Sequence, residues 1–267
     1  ATPIGNLGDA SDRLKNVLDE ADLIYAEDTR RAAKLLRALD VRTSVRSYFL
    51  GNERQRAAEL AGRLEAGEKI ALITDAGMPS IADPGLSAVN AAIAAGVEVT
   101  VVPGPSAATA ALAVSGLPAE RFVFEGFLPR KGKDRAQRIA ELTGERRTAV
   151  LFSGKSRVVA DLEDLATALG GERRVVVTRE LTKAFEEVWR GSLAEAVEHW
   201  SEREMRGEFT IVIAGAEKEL ADLDRSVAKA IDAIESGESM ADAVRRIASE
   251  SGVSRRELYE AVLDGKS

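Results

Sequence analysis

Short apolar runs rich in β-branched residues alternate with amphipathic helical runs along most of this chain. The strand candidates are Leu23–Glu27, Ile70–Thr74, Val97–Val102, Arg121–Phe127, Ala149–Phe152, Val175–Thr178 and Phe209–Ala214. Between them, apolar residues recur at helical spacing, as in Val158, Leu162, Leu165 and Leu169. Apolar strands separated by helices are typical of parallel sheets covered on both faces. The pattern therefore predicts an α/β fold with largely parallel sheets.

The chain of 267 residues is long enough for two domains and a smaller extension. We predict an N-terminal α/β domain over 1–113, a second α/β domain over 114–216 and a helical extension over 217–267. The helices predicted in the extension are Asp222–Ile234, Ser239–Ser249 and Ser254–Leu263. The last two have the spacing of a helix-turn-helix, and two arginine pairs leave both a nucleic-acid contact and a plain helical hairpin open.

The composition excludes several classes of site. There is no cysteine, so disulfides, thiolate metal sites and a cysteine nucleophile are excluded. The one histidine, His199, lies on an amphipathic helix and is interpreted as structural, and no metal is expected. No apolar run reaches the roughly 18 residues of a membrane span, and no secretory leader is visible. We therefore expect a cytoplasmic protein without a membrane segment.

Proline and glycine occur together in loops of the first half of the chain. All seven prolines lie there, and five share loops with glycine: Pro3, Pro79, Pro84, Pro103 and Pro105. Such loops are stiff and allow a ligand to approach the backbone closely. Because ligands of open α/β sheets bind at the carboxyl ends of the strands, the N-terminal half is predicted to bind a ligand. No dinucleotide or ATP fingerprint is present.

Titratable residues follow several of the predicted strands. Two carboxylates follow the first strand in Ala26-Glu-Asp-Thr-Arg30. In the loop after the second candidate strand, Asp75 is a cap or turn former or part of a ligand loop, and Asp83 is interpreted as a turn former. Lys183 lies in a segment rich in charge; it either forms surface ion pairs or stabilises a reacting oxygen beside a cleft.

Two basic segments occur in a chain of net charge −7. Residues 30–46 contain six basic and one acidic residue, and residues 130–138 contain five basic and one acidic. Each segment is either a solvated helix face or part of a docking surface for phosphates. Two such segments in an acidic chain favour the docking surface.

Six motifs occur in order: Ala1–Asp9, Ala26–Arg30, Thr74–Gly85, Val102–Ala107, Phe124–Pro129 and Arg179–Lys183. Together they resemble the small-subunit ribosomal RNA methyltransferases of the tetrapyrrole-methylase superfamily, over nearly the whole chain. The resemblance implies a two-domain methyltransferase, usually a homodimer, with S-adenosylmethionine in the cleft between the domains. It also implies that the enzyme methylates the ribose 2′-oxygen of a cytidine in the decoding region of 16S rRNA, within the small ribosomal subunit.

The resemblance also implies positions for the cofactor contacts. They fall on Ile4, Gly77, Met78, Pro79, Ile81, Ser106, Ala107, Phe152, Leu181, Phe209 and Thr210. These are loop and strand-end positions, in agreement with the argument from proline and glycine.

The family usually has histidines after Arg46, and this chain lacks them. A carboxylate or a lysine must then activate the hydroxyl. The candidates are Asp28 or Glu53 as the base and Lys183 as the cation that lowers the pKa of the hydroxyl. The residues expected to hold RNA phosphates are Arg30, Arg31, Arg130 and Arg157.

Two other functions remain open from the sequence. The superfamily also methylates tetrapyrroles, so a methyltransferase on a tetrapyrrole or another small molecule is one alternative. A non-catalytic factor that binds the ribosome through the same basic segments is the other.

Overall fold

The computed structural model describes residues 1–216 and 223–264. The chain divides into two compact units, Ala1–Gly215 and Ala216–Ser267. The described strands are β1 Leu23–Ala26, β2 Val45–Ser47, β3 Ile70–Ile73, β4 Phe122–Phe127, β5 Thr148–Gly154, β6 Arg174–Arg179, β7 Glu187–Ser192 and β8 Glu208–Ile213. The described helices are α1 Asp12–Glu20, α2 Thr29–Ala38, α3 Glu53–Glu65, α4 Leu86–Ala94, α5 Ala107–Ser115, α6 Lys133–Thr143, α7 Val158–Leu169, α8 Leu193–Ser201, α9 Leu223–Glu235, α10 Met240–Ser251 and α11 Arg255–Asp264.

The first sheet is parallel, with the strand order β2-β1-β3. All four residues of the central strand β1 are buried, which explains its continuous apolar sequence. Helices α1 and α2 begin at side-chain caps, since Ser11 accepts the Leu14 N–H and Asp28 accepts the Arg30 N–H. The α/β expectation is confirmed for this half of the unit.

The second sheet has the order β4-β5-β8-β6-β7. Its alternate residues pack on opposite faces, with Val150, Val176 and Val212 beside α5. Leu151 and Val177 lie on the other face, among residues of α6, α7 and α8. Helices therefore cover both faces of this sheet.

The expectation of largely parallel sheets is wrong for the second sheet. Only β4 and β5 pair in parallel; β8 is antiparallel to β5 and β6, and β7 is antiparallel to β6. The continuous apolar strands correctly indicated burial on both faces, but burial does not determine strand direction. The chain returns from β6 through the short segment 180–186 instead of a helix, so β7 runs antiparallel.

One predicted strand does not form and two strands were not predicted. The segment Val97–Val102 is outside the sheets, and Val99 and Val101 are exposed. Its alternating pattern predicts an extended backbone, but none of the described strands pairs with it. The strand β2 has three residues and β7 is a partly exposed edge strand, so neither has a strong apolar signal.

The C-terminal unit contains α9, α10 and α11 around its own apolar core, which includes Val244 and Leu258. The three predicted helices are confirmed within a few residues, although Asp222 and the other residues of 217–222 and 265–267 lie outside the described part. Arg245, Arg246 and Arg256 pair with carboxylates of the same unit, which favours the plain helical hairpin.

The boundary predicted between residues 113 and 114 remains a prediction, since both sheets belong to one compact unit. Among the described residues, no helix combines the length and the apolar character that crossing a membrane would require.

Candidate active site

A cavity of about 390 Å³ lies in the unit Ala1–Gly215, where strand ends of the two sheets meet. Residues at or just beyond the carboxyl ends of β1, β3, β4, β5 and β6 line it. The strand β8 runs antiparallel to β5 and β6, and it presents its amino end there through Phe209 and Thr210. This is the strand edge at which α/β folds bind ligands.

The first residues of the chain connect the loops around this cavity. The backbones of Thr2 and Gly77 exchange two hydrogen bonds, of 2.8 and 3.0 Å. The Ala1 nitrogen donates to the Val102 carbonyl at 2.8 Å, which joins the same segment to the loop that leads into α5. On the other side, Gly5 packs so closely against Lys183 that a Cβ there would lie 2.4 Å from the Lys183 Cγ. The short segment 1–5 therefore contacts loops of both sheets.

Ten of the eleven positions expected to contact the cofactor line the cavity. They are Ile4, Gly77, Met78, Ile81, Ser106, Ala107, Phe152, Leu181, Phe209 and Thr210. Pro79 does not line it, although it lies in the same loop as Met78 and Ile81. Several separate chain segments thus converge on one cavity.

Four carboxylates and two cations also line the cavity: Glu27, Asp75, Asp83, Glu208, Arg31 and Lys183. Asp75 forms an ion pair with Arg31 at 3.2 Å and accepts the Asp28 backbone N–H at 3.0 Å. This ion pair joins the end of β3 to the first turn of α2.

Lys183 is held between two carboxylates. Its Nζ lies 2.7 Å from the Glu180 carboxylate and 2.9 Å from that of Glu208. Burial lowers the pKa of Lys183, but the hydrogen bonds to Glu180 and Glu208 outweigh it and raise the pKa overall. Lys183 is therefore a fixed cation at the cavity wall.

Asp83 lines the cavity, whereas its sequence context indicated only a turn. Burial raises the pKa of Asp83 to about 6, and the charges of Glu27 and Asp75 add to this effect. Burial also raises the pKa of Glu27, with a further contribution from Asp75. Sequence reasoning missed both residues; the available signal was their position, directly after a buried strand and within a proline-glycine loop.

Asp28 and Glu53 do not line the cavity. Asp28 caps α2 and is held by the Arg30 guanidinium, which keeps the pKa of Asp28 well below its usual range. Glu53 accepts hydrogen bonds from the Gly85 and Ser87 backbones at the start of α4, at 3.2 and 3.4 Å. Both carboxylates therefore organise helix starts beside the site.

The four predicted phosphate ligands occupy two regions. Arg30 is largely exposed on α2, and Arg31 lines the cavity through its pairing with Asp75. Arg130 and Arg157 lie on the loops after β4 and β5, where the Arg157 guanidinium donates to the Arg130 carbonyl at 3.0 Å. Those two strands also bring Phe127 and Phe152 into the cavity wall, so the second region lies beside it.

His199 lies elsewhere, stacked on Trp189 with ring centroids 5.2 Å apart. Across 1–216 and 223–264, no three His, Cys, Asp or Glu side chains are grouped as a metal site requires.

Gly77 offers a test of the cavity, because its backbone has φ +87° and a side chain there is strained. We expect Gly77→Ala to destabilise the fold by about 1–2 kcal/mol and to weaken binding of S-adenosylmethionine, the cofactor that the resemblance implies. Gly67 is a matched control: it has the same φ of +87° at the end of α3, open space where a Cβ would lie and no place in the cavity. Thermal unfolding and calorimetric titration measure both effects, and equal loss of affinity in Gly67→Ala would contradict the assignment.

Comparison with known proteins agrees with this geometry. The family model described as Tetrapyrrole (Corrin/Porphyrin) Methylases matches residues 1–197. The ribosomal RNA small subunit methyltransferase I of Mycobacterium tuberculosis is 46% identical over 100% of this chain and 94% of its own length. The protein of the same name from Synechocystis is 44% identical over 99% of this chain and 96% of its own.

Solved structures show the same fold at lower identity. Diphthine synthase superposes with a TM-score of 0.62 and 16% identity over 79% of this chain and 87% of its own. Cobalt precorrin-4 methyltransferase superposes with a TM-score of 0.60 and 15% identity over 80% of this chain and 92% of its own. S-adenosylmethionine is the cofactor of the matched family, which confirms the cofactor prediction. The chain belongs to the tetrapyrrole methylase family of methyltransferases, in the group of the ribosomal RNA small subunit methyltransferases I.

Proposed function

We propose that this methyltransferase transfers the methyl group of S-adenosylmethionine to the ribose 2′-oxygen of a cytidine in the decoding region of 16S rRNA. The observation that carries the proposal is the convergence of ten expected cofactor positions on one cavity. Beside this cavity lie the two basic loops after β4 and β5, which carry Arg130 and Arg157. The names of the relatives support small-subunit rRNA as the substrate class. The nucleotide and the oxygen follow from the family resemblance.

The cavity fits the cofactor in size and character. Its volume of about 390 Å³ falls within the roughly 300–1,000 Å³ of small-molecule sites. Ile4, Met78, Phe152 and Leu181 supply apolar walls. Gly77 has no side chain and lines the cavity, so a ligand can approach its backbone closely. The residues present are therefore suited to hold S-adenosylmethionine.

The bound cofactor supplies an activated methyl group, so the protein residues must orient and activate the hydroxyl. Lys183 is the cation suited to this task, because its two carboxylate partners keep it charged at the cavity wall. An ammonium near a hydroxyl oxygen stabilises the negative charge that develops during the attack. Removal of the proton falls to a carboxylate of the lining, because Asp28 and Glu53 are engaged outside the cavity.

The loop pair after β4 and β5 is proposed to bind phosphates of the RNA. Arg130, Lys131 and Lys133 belong to one loop, and Lys155 and Arg157 to the other. The bond between Arg157 and the Arg130 carbonyl holds the two loops together. Arginine and lysine side chains on such loops contact the phosphate backbone and position the nucleotide. Arg30 and Arg31 on α2 form the second proposed contact.

Three further features belong to this proposal. The acidic chain is proposed to act on an assembled small ribosomal subunit, as a homodimer, in the cytoplasm. The net charge of −7 disfavours coating of naked RNA, whereas a structured particle fits local basic regions.

The direct test is a methylation assay on small ribosomal subunits from cells that lack the endogenous enzyme. We expect one methyl group per subunit from labelled S-adenosylmethionine, on the 2′-oxygen of one decoding-region cytidine located by nuclease digestion and mass spectrometry. A label on another nucleotide or on a base would contradict the proposed target. Transfer to a tetrapyrrole with none to rRNA would favour the small-molecule alternative.

Lys183→Met tests the proposed cation. The substitution keeps an unbranched side chain against Gly5 but removes the charge, so cofactor affinity should stay within about threefold while single-turnover methyl transfer falls about 100-fold or more. Lys183→Arg should retain part of the activity. Wild-type turnover in Lys183→Met would eliminate the proposed role.

Arg130→Gln tests the phosphate contact. Loss of one phosphate contact should weaken binding to the small ribosomal subunit regardless of the nucleotide sequence at the target. It should also reduce the slope of log affinity against log salt by about one. Arg146→Gln is the matched control, because Arg146 is exposed near the amino end of β5, opposite the loop pair. Binding titrations at several salt concentrations should show the change only in Arg130→Gln.

A further inference from the structure

The cavity lining carries more negative than positive charge. Two of its four carboxylates are matched by cations, since Asp75 pairs with Arg31 and Glu208 pairs with Lys183. Glu27 and Asp83 line the same cavity but form no ion pair in the part of the chain that the structure describes. The site therefore holds two carboxylates outside any ion pair of the described residues, although the charge of Arg31 also reaches Glu27 and lowers its pKa.

The loop around Asp83 is held in an unfavourable conformation. Ser80 and Ala82 have φ values of 69° and 64°, in the left-handed region that residues with a Cβ rarely adopt. The Ser80 N–H donates to the Pro84 carbonyl at 3.3 Å, and a Cβ on Gly85 would lie 2.6 Å from the Ser80 Oγ. Strain of this kind persists where the surroundings enforce it, and it is concentrated at functional sites. The strained loop therefore holds Asp83 at the cavity.

The other three carboxylates of the lining act on Asp83. Glu27 faces it from the end of β1, Asp75 from the end of β3 and Glu208 from β8. The lining cations, Arg31 and Lys183, are paired with Asp75 and Glu208. Burial and these neighbouring carboxylates raise the pKa of Asp83 to about 6. A positive charge in the cavity would relieve this repulsion and favour ionised Asp83.

The methyl donor carries such a charge and its product does not. S-adenosylmethionine has a positively charged sulfur, whereas S-adenosylhomocysteine has a neutral one and is otherwise the same apart from the methyl group. Methyl transfer leaves the sulfur neutral, because the electron pair of the broken carbon–sulfur bond stays on sulfur while the methyl carbon bonds to the substrate oxygen.

We propose that Asp83, assisted by Glu27, is the specificity-determining residue that makes this cavity prefer the positively charged methyl donor to its neutral product. The loss of charge on transfer then weakens the product's binding and promotes its release. This inference uses the family's cofactor and not the RNA target, so it is tested without RNA.

The first experiment is calorimetric titration of the whole wild-type chain with S-adenosylmethionine and with S-adenosylhomocysteine between pH 5 and 7.5. The donor requires ionised Asp83, and lowering the pH protonates this residue. Donor affinity should therefore fall about five- to tenfold from pH 7 to pH 5, as expected for one group with a pKa near 6. Titrations in buffers of different ionisation enthalpy should show proton release near pH 6 on donor binding, and product affinity should change less than twofold.

The second experiment compares Asp83→Asn with Asp19→Asn, a control on the exposed face of α1 with the same change in charge. In Asp83→Asn the ratio of product Kd to donor Kd at pH 7 should fall at least fivefold, and the pH dependence of donor binding should flatten; Asp19→Asn should leave both unchanged.

Parallel pH profiles for donor and product in the wild-type chain, or an unchanged Kd ratio in a folded Asp83→Asn, would overturn the inference. The wild-type titrations decide the matter if Asp83→Asn fails to fold. An absence of rRNA methylation together with charge-selective binding would count against the proposed function alone.

Discussion

The backbone bonds of the first two residues are the constraint on which the site depends. Ala1 and Thr2 lie between the loop after β3 and the loop before α5, and they bond to Gly77 on one side and Val102 on the other. Thr2 is buried, and its hydroxyl donates to the Thr74 carbonyl at 3.2 Å. These bonds fix the loop after β3 and the loop before α5 relative to each other. Removing these bonds would free both loops that supply most of the expected cofactor contacts.

The same segment links the first sheet to the second. Gly5 fits against the Lys183 stem because it has no side chain. Lys183 in turn is held by Glu180, directly after β6, and by Glu208 of β8. The cation proposed to act on the substrate hydroxyl is thus positioned from three directions. Catalytic groups need this kind of support, since a misplacement of about 1 Å costs about 100-fold in rate.

Sequence reasoning found the cavity lining well and the chemical groups less well. Ile4, Gly77 and Ser106 belong to the ordered motifs, and their motif positions were enough to predict that they share one site. Asp28 and Glu53 were chosen for their residue type, but their side chains cap or anchor helices. The direction of a side chain after a strand depends on backbone angles that a sequence pattern does not contain.

The second sheet shows the same limit. Its apolar strands predicted burial on both faces correctly, yet the antiparallel placement of β8 depends on how the chain returns after β7. The segment Val97–Val102 has the alternation of a strand but pairs with none of the described strands, because pairing is a property of two segments. Local patterns therefore predict where elements lie along the chain and leave their neighbours undetermined.

Negative charge in the cavity lies close to positive charge on the neighbouring loops. The cavity interior carries the unmatched Glu27 and Asp83, while the loops after β4 and β5 carry Arg130, Lys155 and Arg157. At physiological ionic strength, exposed charges act over a Debye length of about 8 Å. Phosphates at the loops therefore respond to the local cations more than to the net charge of −7. Glu27 and Asp83 are half-buried and are screened less, so they keep their influence on a ligand within the cavity. One acidic chain can thus favour a cationic donor inside and an anionic polymer outside, provided that the RNA phosphates stay at the basic rim while the target ribose reaches the cavity.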